Sequence, residues 1–410
     1  MSYFRFVTDN AGLLAFGFLV HLLSGFGQTF FIGLFGAEFR TDFGLSHGEF
    51  GFVYSMATLA SAAGFIWAGR QIDRIDLRLY TGVAGAMYVV ACLWIALAPA
   101  TAWLLFIGFT LVRLAGQSLM THIGGATMAR YFEAARGRAV GLGGLGLAAA
   151  EAILPPLGVL LLAGLGWRGT WLAIAALLAF IALPVALWLL RGQPEREQRF
   201  QERRAASIAD AGERDWLLRE VLRDRHFYLV MPTIVFTPFV VTGIFFHQAH
   251  VVELKGWSLE LFASAFVLYA AATVLGMLVS GPVIDRIGAR RIVALLLMPL
   301  ALGLLALALS DNPAAVLAFM LGAGMTNGAG LTLISALWAE MYGATHIGSI
   351  RSLVWTVIVV ATALSSVLFG ALFDAGVSVE AIATACLVAA IAAAFLAGPF
   401  RRLWMRSESV

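Results

Sequence analysis

Long runs of hydrophobic residues, separated by short polar links, make up most of the chain. A helix that crosses a bilayer needs roughly 20 consecutive apolar residues, and the runs have about this length. The pattern therefore predicts an all-α membrane protein with twelve transmembrane helices. In chain order, the predicted helices 1 to 12 are 11–35, 48–68, 79–98, 103–128, 138–162, 168–190, 228–252, 259–283, 291–310, 313–341, 347–372 and 378–399.

One polar segment is longer than the other links and divides the chain into halves. This segment, 191–227, is rich in Arg and Glu. Apolar residues recur within it at helical spacing, which predicts an amphipathic helix on the membrane surface: Trp216, Leu217, Val221 and Leu222. The predicted parts are an N-terminal six-helix bundle over 1–190, this linker, and a C-terminal six-helix bundle over 228–410.

The overall composition supports the membrane prediction. Hydrophobic residues make up 61% of the chain and charged residues only 12%, with a mean hydropathy of +0.89. A soluble domain carries about a quarter charged residues, so the composition excludes that class. Two cysteines, Cys92 and Cys386, fall inside apolar runs and are interpreted as small core residues, with no disulfide and no metal site.

The chain lacks the motifs of common enzymes. We find no Gly-rich phosphate loop after a strand, no Cys/His spacing for a metal, and no Ser/His/Asp set at matched depth. The sequence therefore predicts no enzymatic activity, no cofactor and no metal. Acidic residues are interspersed with the basic residues of the linker, so we interpret it as a topogenic segment and expect no nucleic-acid partner.

The distribution of basic residues predicts the orientation in the membrane. With both termini in the cytoplasm, all but four of the 27 Lys and Arg residues lie on the cytoplasmic side. Arg40, Arg168 and Lys255 fall outside, and Arg113 lies within the membrane. The positive-inside rule favours this orientation strongly over the reverse one.

A short charged motif occurs twice, between predicted helices 2 and 3 and between predicted helices 8 and 9. It begins at Gly69 in the first copy and at Gly281 in the second, 212 residues later. Equivalent charged positions keep the same offset: Asp73 with Asp285, Arg74 with Arg286, and Arg78 with Arg290. The offset is about half the chain length, so the two halves are predicted to be copies of one unit.

The pattern G-x-x-x-D-R-x-G-x-R resembles the signature loop of the major facilitator superfamily, and the resemblance covers the whole chain. It implies two pseudo-symmetric six-helix bundles with a central cavity and transport by alternating access. The second copy matches better, because the first has Asp76 where the family usually has Gly.

The resemblance also implies a gating role for the motif residues. Asp73 would approach the N-terminus of helix 11, where the helix dipole favours a negative charge. Asp73 and Arg74 would hold one side shut, and Asp285, Arg286 and Arg290 would do the same against helix 5. The alternative is a simple positive-inside anchor.

Glu340, His346 and Arg351 gather between predicted helices 10 and 11. They are interpreted either as a cap with a surface ion pair or as part of the gate.

Two charged residues lie at membrane depth, where a charge is costly and is a functional hypothesis by default. Arg113 in helix 4 and Glu151 in helix 5 lie about 15 Å from the outer ends of antiparallel neighbours, at the rise of a helix. We therefore expect them at one level, where they can pair. One interpretation is a substrate-binding and proton-coupling pair, and the other is a permanent structural ion pair.

Further polar residues are candidates for the cavity. His21 and Gln28 lie in helix 1, and His21 is predicted either to bind substrate and carry a proton or to pack as a neutral side chain. Asn327 in helix 10 and Trp355 in helix 11 are predicted to contact substrate, with helix packing as the alternative. A direct role is less favoured for three other histidines, His122, His247 and His250.

Several stretches resemble the branch of monocarboxylate porters and the oxalate/formate antiporter. They include Arg113-Leu-Ala-Gly-Gln117 and Gly166-Trp-Arg168. The resemblance implies a carboxylate substrate, although helix 8 contains no arginine where that branch has one.

The sequence therefore predicts a monomeric secondary transporter of a bacterial inner membrane that moves a small organic anion, coupled to protons. Export of amphipathic or cationic compounds and uptake of a neutral, vitamin-like nutrient are the alternatives. A membrane receptor without transport is the alternative from another class.

Overall fold

A computed structural model describes residues 3–132, 135–192, 218–342 and 347–397. All regular secondary structure in these ranges is helical. The chain divides into two compact units, the first comprising Met1–Leu45 and Phe52–Gly212 and the second comprising Ser46–Gly51 and Glu213–Val410. The second unit therefore includes the first residues of a helix that continues into the first unit.

Ten α-helices belong wholly or mainly to the described part of the first unit. They are α1 (Tyr3–Asp9), α2 (Ala11–Ser24), α3 (Thr29–Ile32), α4 (Gly36–Phe43), α5 (His47–Ala68), α6 (Leu77–Leu97), α7 (Ala102–Val112), α8 (Thr121–Tyr131), α9 (Arg136–Leu177) and α10 (Leu183–Leu189). Two π-helical segments, Arg113–Met120 and Leu178–Ala182, join α7 to α8 and α9 to α10.

Nine α-helices follow in the described part of the second unit. They are α11 (Leu218–Val221), α12 (Arg225–Phe246), α13 (Gln248–Lys255), α14 (Leu259–Ile287), α15 (Ala289–Ile292), α16 (Met298–Leu309), α17 (Ala314–Tyr342), α18 (Ile347–Asp374) and α19 (Val379–Ala397). The predicted helices match these elements to within a few residues at most ends.

Ten helices of the described residues are long and apolar enough to cross a membrane, and a pair bent by 44° after Gly27 raises the number to eleven. The predicted helices 5 and 6 form one stretch, Gly137–Leu189, interrupted at Gly166. Gly166 has φ 65° and ψ 173°, a conformation that only glycine adopts readily. The count of twelve and the side of the termini stay predictions.

Small residues bring helix pairs into close contact. A Cβ atom on Gly146 of α9 would lie 2.0 Å from the backbone oxygen of Phe18 on α2. In the second unit, a Cβ atom on Gly328 of α17 would lie 1.9 Å from the backbone oxygen of Thr273 on α14. In lipid, where apolar side chains gain little by leaving the solvent, such close backbone packing drives helix association.

The predicted amphipathic helix of the linker is described only at its end. α11 covers four residues, and Val221 is fully buried in the core cluster of the second unit, whereas Leu222 is exposed. Trp216 and Leu217 lie outside the described residues. The location of Val221 shows that this end of the linker packs on protein.

The chain's single lysine ties three elements of the second unit together. The buried Lys255 ammonium donates to Asp311 (2.7 Å) and to the carbonyl oxygen of Leu307 (2.9 Å), and pairs with Glu380 (2.5 Å). Burial opposes the charge, but the hydrogen bonds to the two carboxylates outweigh it and raise the pKa of Lys255. Elsewhere, Cys92 and Cys386 are buried and unbridged.

Candidate substrate and gating sites

The first membrane helix is broken beside the π-helical part of helix 4. Gln28 has an extended backbone (φ −84°, ψ 156°) between α2 and α3. A Cβ atom on Gly27 would lie 2.7 Å from both the Gln117 nitrogen and the Val112 oxygen. The break and the π-helical segment therefore touch through backbone atoms. Irregular backbone at membrane depth is tolerated only inside protein or beside a cavity, and π-bulges are frequent at functional sites.

Arg113 is the first residue of that π-helical segment and is 3% exposed. Its guanidinium lies over the ring of Tyr54, 4.6 Å from the centroid, and donates to the Tyr54 hydroxyl. Thr29 Oγ1 lies 3.5 Å from Arg113 Nη1 and 2.7 Å from the Tyr54 hydroxyl. Arg113 Nε has no hydrogen-bond partner. Among the described residues, the contacts of Arg113 are thus two hydroxyls and a ring, and none of them compensates its charge.

The expected pairing of Arg113 with Glu151 is wrong. Within the described residues Arg113 makes no ion pair, and Glu151, 8% exposed, has neither an ion pair nor a hydrogen bond. Depth along an axis does not fix rotation about it. On α9, Ala150 faces Gly25 near the break, and its Cβ lies 2.6 Å from the position of a Cβ atom on Gly25. Glu151 is the next residue, so it points about 100° away around the helix axis.

The two other candidates in helix 1 have different surroundings. His21 is buried, donates from Nδ1 to the Gly17 carbonyl oxygen (2.7 Å), and packs against Gly124. These contacts suit the packing interpretation, and the role of His21 in substrate binding or proton transfer stays a prediction. Gln28 is partly buried at the helix break, and its contact with substrate stays a prediction.

Three predicted residues of the second unit line one cleft. Asn327, Arg351 and Trp355 line a cleft with a volume of about 130 Å³, together with residues of α12 and α17. The sequence analysis assigned Arg351 to the gate and not to the cavity, because the residue lies near the predicted start of helix 11. The cleft brings Arg351 together with Asn327 and Trp355. His346 lies outside the described residues.

The first motif copy is held by helix 4 of its own unit. Arg130 pairs with Asp73, and His122 Nε2 donates to the Gly69 carbonyl oxygen at 3.1 Å. The Tyr80 hydroxyl donates to the Ala68 carbonyl oxygen at 2.9 Å. Sequence reasoning missed Arg130 and Tyr80 because neither belongs to the motif. The two remaining motif arginines, Arg74 and Arg78, are exposed.

The two motif copies cap the following helix in different ways. In the first, Asp76 (φ −52°) accepts from the Arg78 and Leu79 nitrogens at 2.9 and 3.1 Å. In the second, Gly288 stands at the same position with φ 89°, where a side chain would be strained. The missing carboxylate is supplied by Glu340 of α17. It accepts from the Ala289 nitrogen (2.9 Å) and the Arg290 nitrogen (3.3 Å).

Glu340 therefore caps the second motif copy instead of pairing with Arg351. Capping also explains why Asp76 stands where the family pattern has Gly. The Asp76 carboxylate caps the helix after the first motif copy, as Glu340 caps the helix after the second. Asp285 and Arg286 are exposed in this structure. The gating roles of both copies stay predictions.

Removing either cap is expected to lower the free energy of unfolding by about 1 kcal/mol, the typical cost of losing a capping side chain. We expect this for Glu340→Ala and for Asp76→Ala. The measurement is the melting temperature of purified protein, followed with a thiol-reactive dye that reports exposure of the buried Cys92 and Cys386. Exposed Glu220→Ala is the control. An unchanged melting temperature in Glu340→Ala would contradict the capping role.

Three histidines and an aspartate gather at the start of α5, within the second unit. The rings of His47 and His250 lie 3.8 Å apart, and His247 Nε2 donates to the Ser366 carbonyl oxygen at 2.9 Å. Asp374 accepts from Ser46 Oγ (2.7 Å) and from two backbone nitrogens of α5. The sequence singled out His247 and His250 but not His47, because the cluster joins residues far apart in the chain.

Comparisons with known proteins identify the architecture. Residues 17–365 and 248–404 match the model of the Major Facilitator Superfamily. No match was found among curated protein sequences. The structure is similar to a bacterial homolog of the human lysosomal transporter Spinster in an inward-facing, unoccupied conformation. The TM-score is 0.70 at 16% identity, with 97% of this chain and 98% of that one covered.

A second similar structure is a mutant of the nucleoside transporter NupG. Its TM-score is 0.70 at 12% identity, with 95% of this chain and 99% of that one covered. At these identities the likeness establishes the fold alone.

Proposed function

Because the chain belongs to the major facilitator superfamily, it is a multi-pass secondary transporter and no enzyme, and we propose that its substrate is a small organic anion. Arg113 carries this proposal. It is a buried cation whose described contacts contain no carboxylate. A charge in this position is costly unless it is paired, and intramembrane charges mark substrate pathways. An anionic substrate supplies the missing partner.

The neighbours of Arg113 suit an oxygen-rich ligand. Its guanidinium presents donors in a planar fork that matches a carboxylate, and Nε has no protein partner. The hydroxyls of Tyr54 and Thr29 contact the guanidinium and share one hydrogen bond at 2.7 Å, so one of their two protons can be donated to a ligand oxygen. We infer that Arg113 binds the charged group while these two hydroxyls orient it.

Proton coupling is the second part of the proposal, and Glu151 supports it. Its carboxyl group is buried in the first unit without a partner among the described residues. An isolated charge there is unfavourable, so this state of the protein favours a protonated carboxyl group. A change of surroundings during transport would release the proton. Glu151 thus couples protons without the direct contact to Arg113 that the sequence suggested.

The remaining features belong to the same proposal. We place both termini in the cytoplasm on the distribution of the arginines, and we propose a monomer in a bacterial inner membrane. The motif residues act as the cytoplasmic gate. The similarity of the Arg113 and Arg168 regions to the monocarboxylate porter branch favours carboxylates over other anions.

One observation favours a second candidate, proton-driven export of cationic compounds. Glu151 is an acidic group at membrane depth with no partner in the described ranges, and a cation could compete with the proton there. Uptake of a neutral, vitamin-like nutrient and a receptor without transport have no such observation in their favour.

Ligand-induced thermal stabilisation separates these functions. Purified wild type and Arg113→Gln would be melted with short carboxylates, neutral nutrients and lipophilic cations, and positive compounds would be tested for uptake into proteoliposomes. Organic anions are expected to stabilise wild type but not Arg113→Gln. Stabilisation by cations alone, lost in Glu151→Gln, would replace the anion proposal with the export function. Uptake of any solute would exclude the receptor.

Glu151→Gln is expected to remove the pH dependence of transport between about pH 5 and pH 8, because the amide mimics the protonated acid and cannot ionise. Its melting temperature should stay close to that of the wild type, since no protein hydrogen bond is lost. The measurement is initial uptake rate against pH in proteoliposomes. Exposed Glu260→Gln is the control. An unaltered pH profile in Glu151→Gln would contradict the coupling role.

A further inference from the structure

We propose that the end of the linker and the first turn of α12 bind the head group of an anionic phospholipid. These residues, 219–228, form a corner that includes the end of α11, a short turn and the start of a helix long enough to cross a membrane. We call it the linker corner. No residue of the linker corner belongs to the Arg113 site, so the anion function and the lipid site stand or fall separately.

One buried side chain and two hydrogen bonds hold the linker corner in a fixed shape. Val221 is fully buried in the core of the second unit and anchors α11 on protein. The Arg223 nitrogen donates to the Glu220 carbonyl oxygen at 3.0 Å, and the Tyr228 hydroxyl donates to the Leu222 carbonyl oxygen at 3.0 Å. A surface that is already ordered loses little conformational entropy when a ligand binds to it.

Three exposed arginines make the surface of the linker corner positive: Arg219, Arg223 and Arg225. Within the described residues, none of their guanidinium groups has an ion-pair or hydrogen-bond partner. Glu220 is the exposed acid among them and has a contact of its own. Because a guanidinium presents a planar fork of donors that matches phosphate oxygens, this surface suits a phosphate-bearing ligand.

The second acid of the linker corner is directed into the protein. Asp224 accepts hydrogen bonds from the His226 backbone nitrogen (3.0 Å) and from the Tyr342 hydroxyl (2.8 Å), and its carboxylate contacts His226 Nδ1 at 2.8 Å. Its side chain is 14% exposed, whereas Arg223 and Arg225 on either side are exposed. The alternation of charges along the chain therefore leaves an excess of positive charge at the surface.

Two apolar groups are exposed beside these arginines. Leu222 is 43% exposed and Tyr228 is 55% exposed. α12 has 22 residues and is therefore about 33 Å long, close to the roughly 30 Å hydrocarbon core of a bilayer. Its first turn, which includes Tyr228, accordingly lies at the boundary between head groups and acyl chains, where tyrosine is enriched. The Tyr228 hydrogen bond holds Leu222 at the same level.

An anionic phospholipid fits both features with one molecule. Its phosphate group pairs with the exposed arginines, and its acyl chains cover the two apolar side chains, which a free phosphate ion would leave in water. Basic clusters directly beside a membrane helix are typical of proteins that bind anionic lipids. The bound lipid would fasten the end of the linker to the bilayer.

The test follows the melting temperature of the full-length protein in a nonionic detergent during titration with phosphatidylglycerol. Phosphatidylcholine with the same acyl chains is the zwitterionic comparison, and wild type is expected to prefer phosphatidylglycerol. An arginine beside an anionic surface gains about fivefold in affinity. Arg223→Gln/Arg225→Gln should therefore need roughly 30-fold more phosphatidylglycerol for half-maximal stabilisation, with the response to phosphatidylcholine unchanged.

Arg70→Gln/Arg291→Gln is the matched control, because it removes the same charge from exposed positions outside the linker corner. It should keep the wild-type preference for phosphatidylglycerol. Inorganic phosphate and glycerol 1-phosphate, which lack acyl chains, should not stabilise the wild type. Stabilisation by either of them equal to that by phosphatidylglycerol would overturn the lipid site in favour of a free-phosphate site. An intact preference in Arg223→Gln/Arg225→Gln would also overturn it.

Discussion

Arg113→Gln is expected to abolish anion transport without weakening the fold. Arg113 and an anionic ligand would form a buried, hydrogen-bonded charge pair. Removing one partner of such a pair costs about 2–5 kcal/mol of binding free energy, which weakens affinity roughly 30-fold to several thousand-fold. The same change relieves the protein of a buried cation that no described carboxylate compensates. Melting temperature without ligand should therefore stay the same or rise, while stabilisation by anions and uptake into proteoliposomes disappear.

Arg168 provides the contrasting control. Its guanidinium donates to the carbonyl oxygens of Ala96 and Ala98 and lies 4.2 Å from the centroid of the Trp167 ring, so its role is structural. Arg168→Gln should lower the melting temperature and preserve anion affinity. If Arg113→Gln instead lowered the melting temperature and kept its affinity for anions, Arg113 would be the structural residue and the anion proposal would be lost.

Gly146→Ala and Gly328→Ala are each expected to destabilise the protein by about 1–3 kcal/mol, the usual cost of overpacking a close contact. The added methyl group would meet backbone oxygens at 2.0 and 1.9 Å, respectively. Backbone atoms of a packed helix cannot move aside as the end of a flexible side chain can, so the helices must separate. Both variants should show a lower melting temperature and a larger fraction of aggregated protein after detergent extraction.

Gly144→Ala is the matched control on the same helix as Gly146. A Cβ atom there would have no neighbour within 4 Å. Alanine also has the higher helix propensity, so Gly144→Ala should be neutral or stabilising by up to about 1 kcal/mol. Equal melting temperatures for the Gly144 and Gly146 variants would show that α2 and α9 do not pack through this contact.

The positions of the helices could be predicted from the sequence because membrane helices carry a strong one-dimensional signal. A membrane-spanning helix needs about 20 apolar residues in a row, and the long described helices coincide with such runs. The helix breaks carried a weaker signal. Gln28 and Arg113–Met120 lie inside apolar runs, and only their mutual backbone contact explains why the helix opens there.

The partners of the charged residues could not be predicted in the same way. Equal depth suggested that Arg113 and Glu151 pair, yet within the described part of the chain Arg113 contacts Tyr54 and Glu151 contacts no charged group. Arg351 was assigned to a gate from its place at a helix end, and it lines a cleft with Asn327 and Trp355. The wrong pairing concerns rotation about a helix axis, which length and depth leave open, whereas the gating role of Arg351 stays a prediction.

The sequence by itself determined the membrane class, the helix positions, the two-fold repeat of the charged motif and the buried location of Arg113. These features depend on local composition and spacing. The bilayer fixes the length of an apolar run, and the repeat fixes the spacing between equivalent residues. The tertiary structure alone decided that Glu340 replaces Asp76 as a cap, that Arg113 contacts no carboxylate among the described residues, and that Thr237 and Trp338 line one cleft. Such contacts join residues distant in the chain, and helix packing sets them.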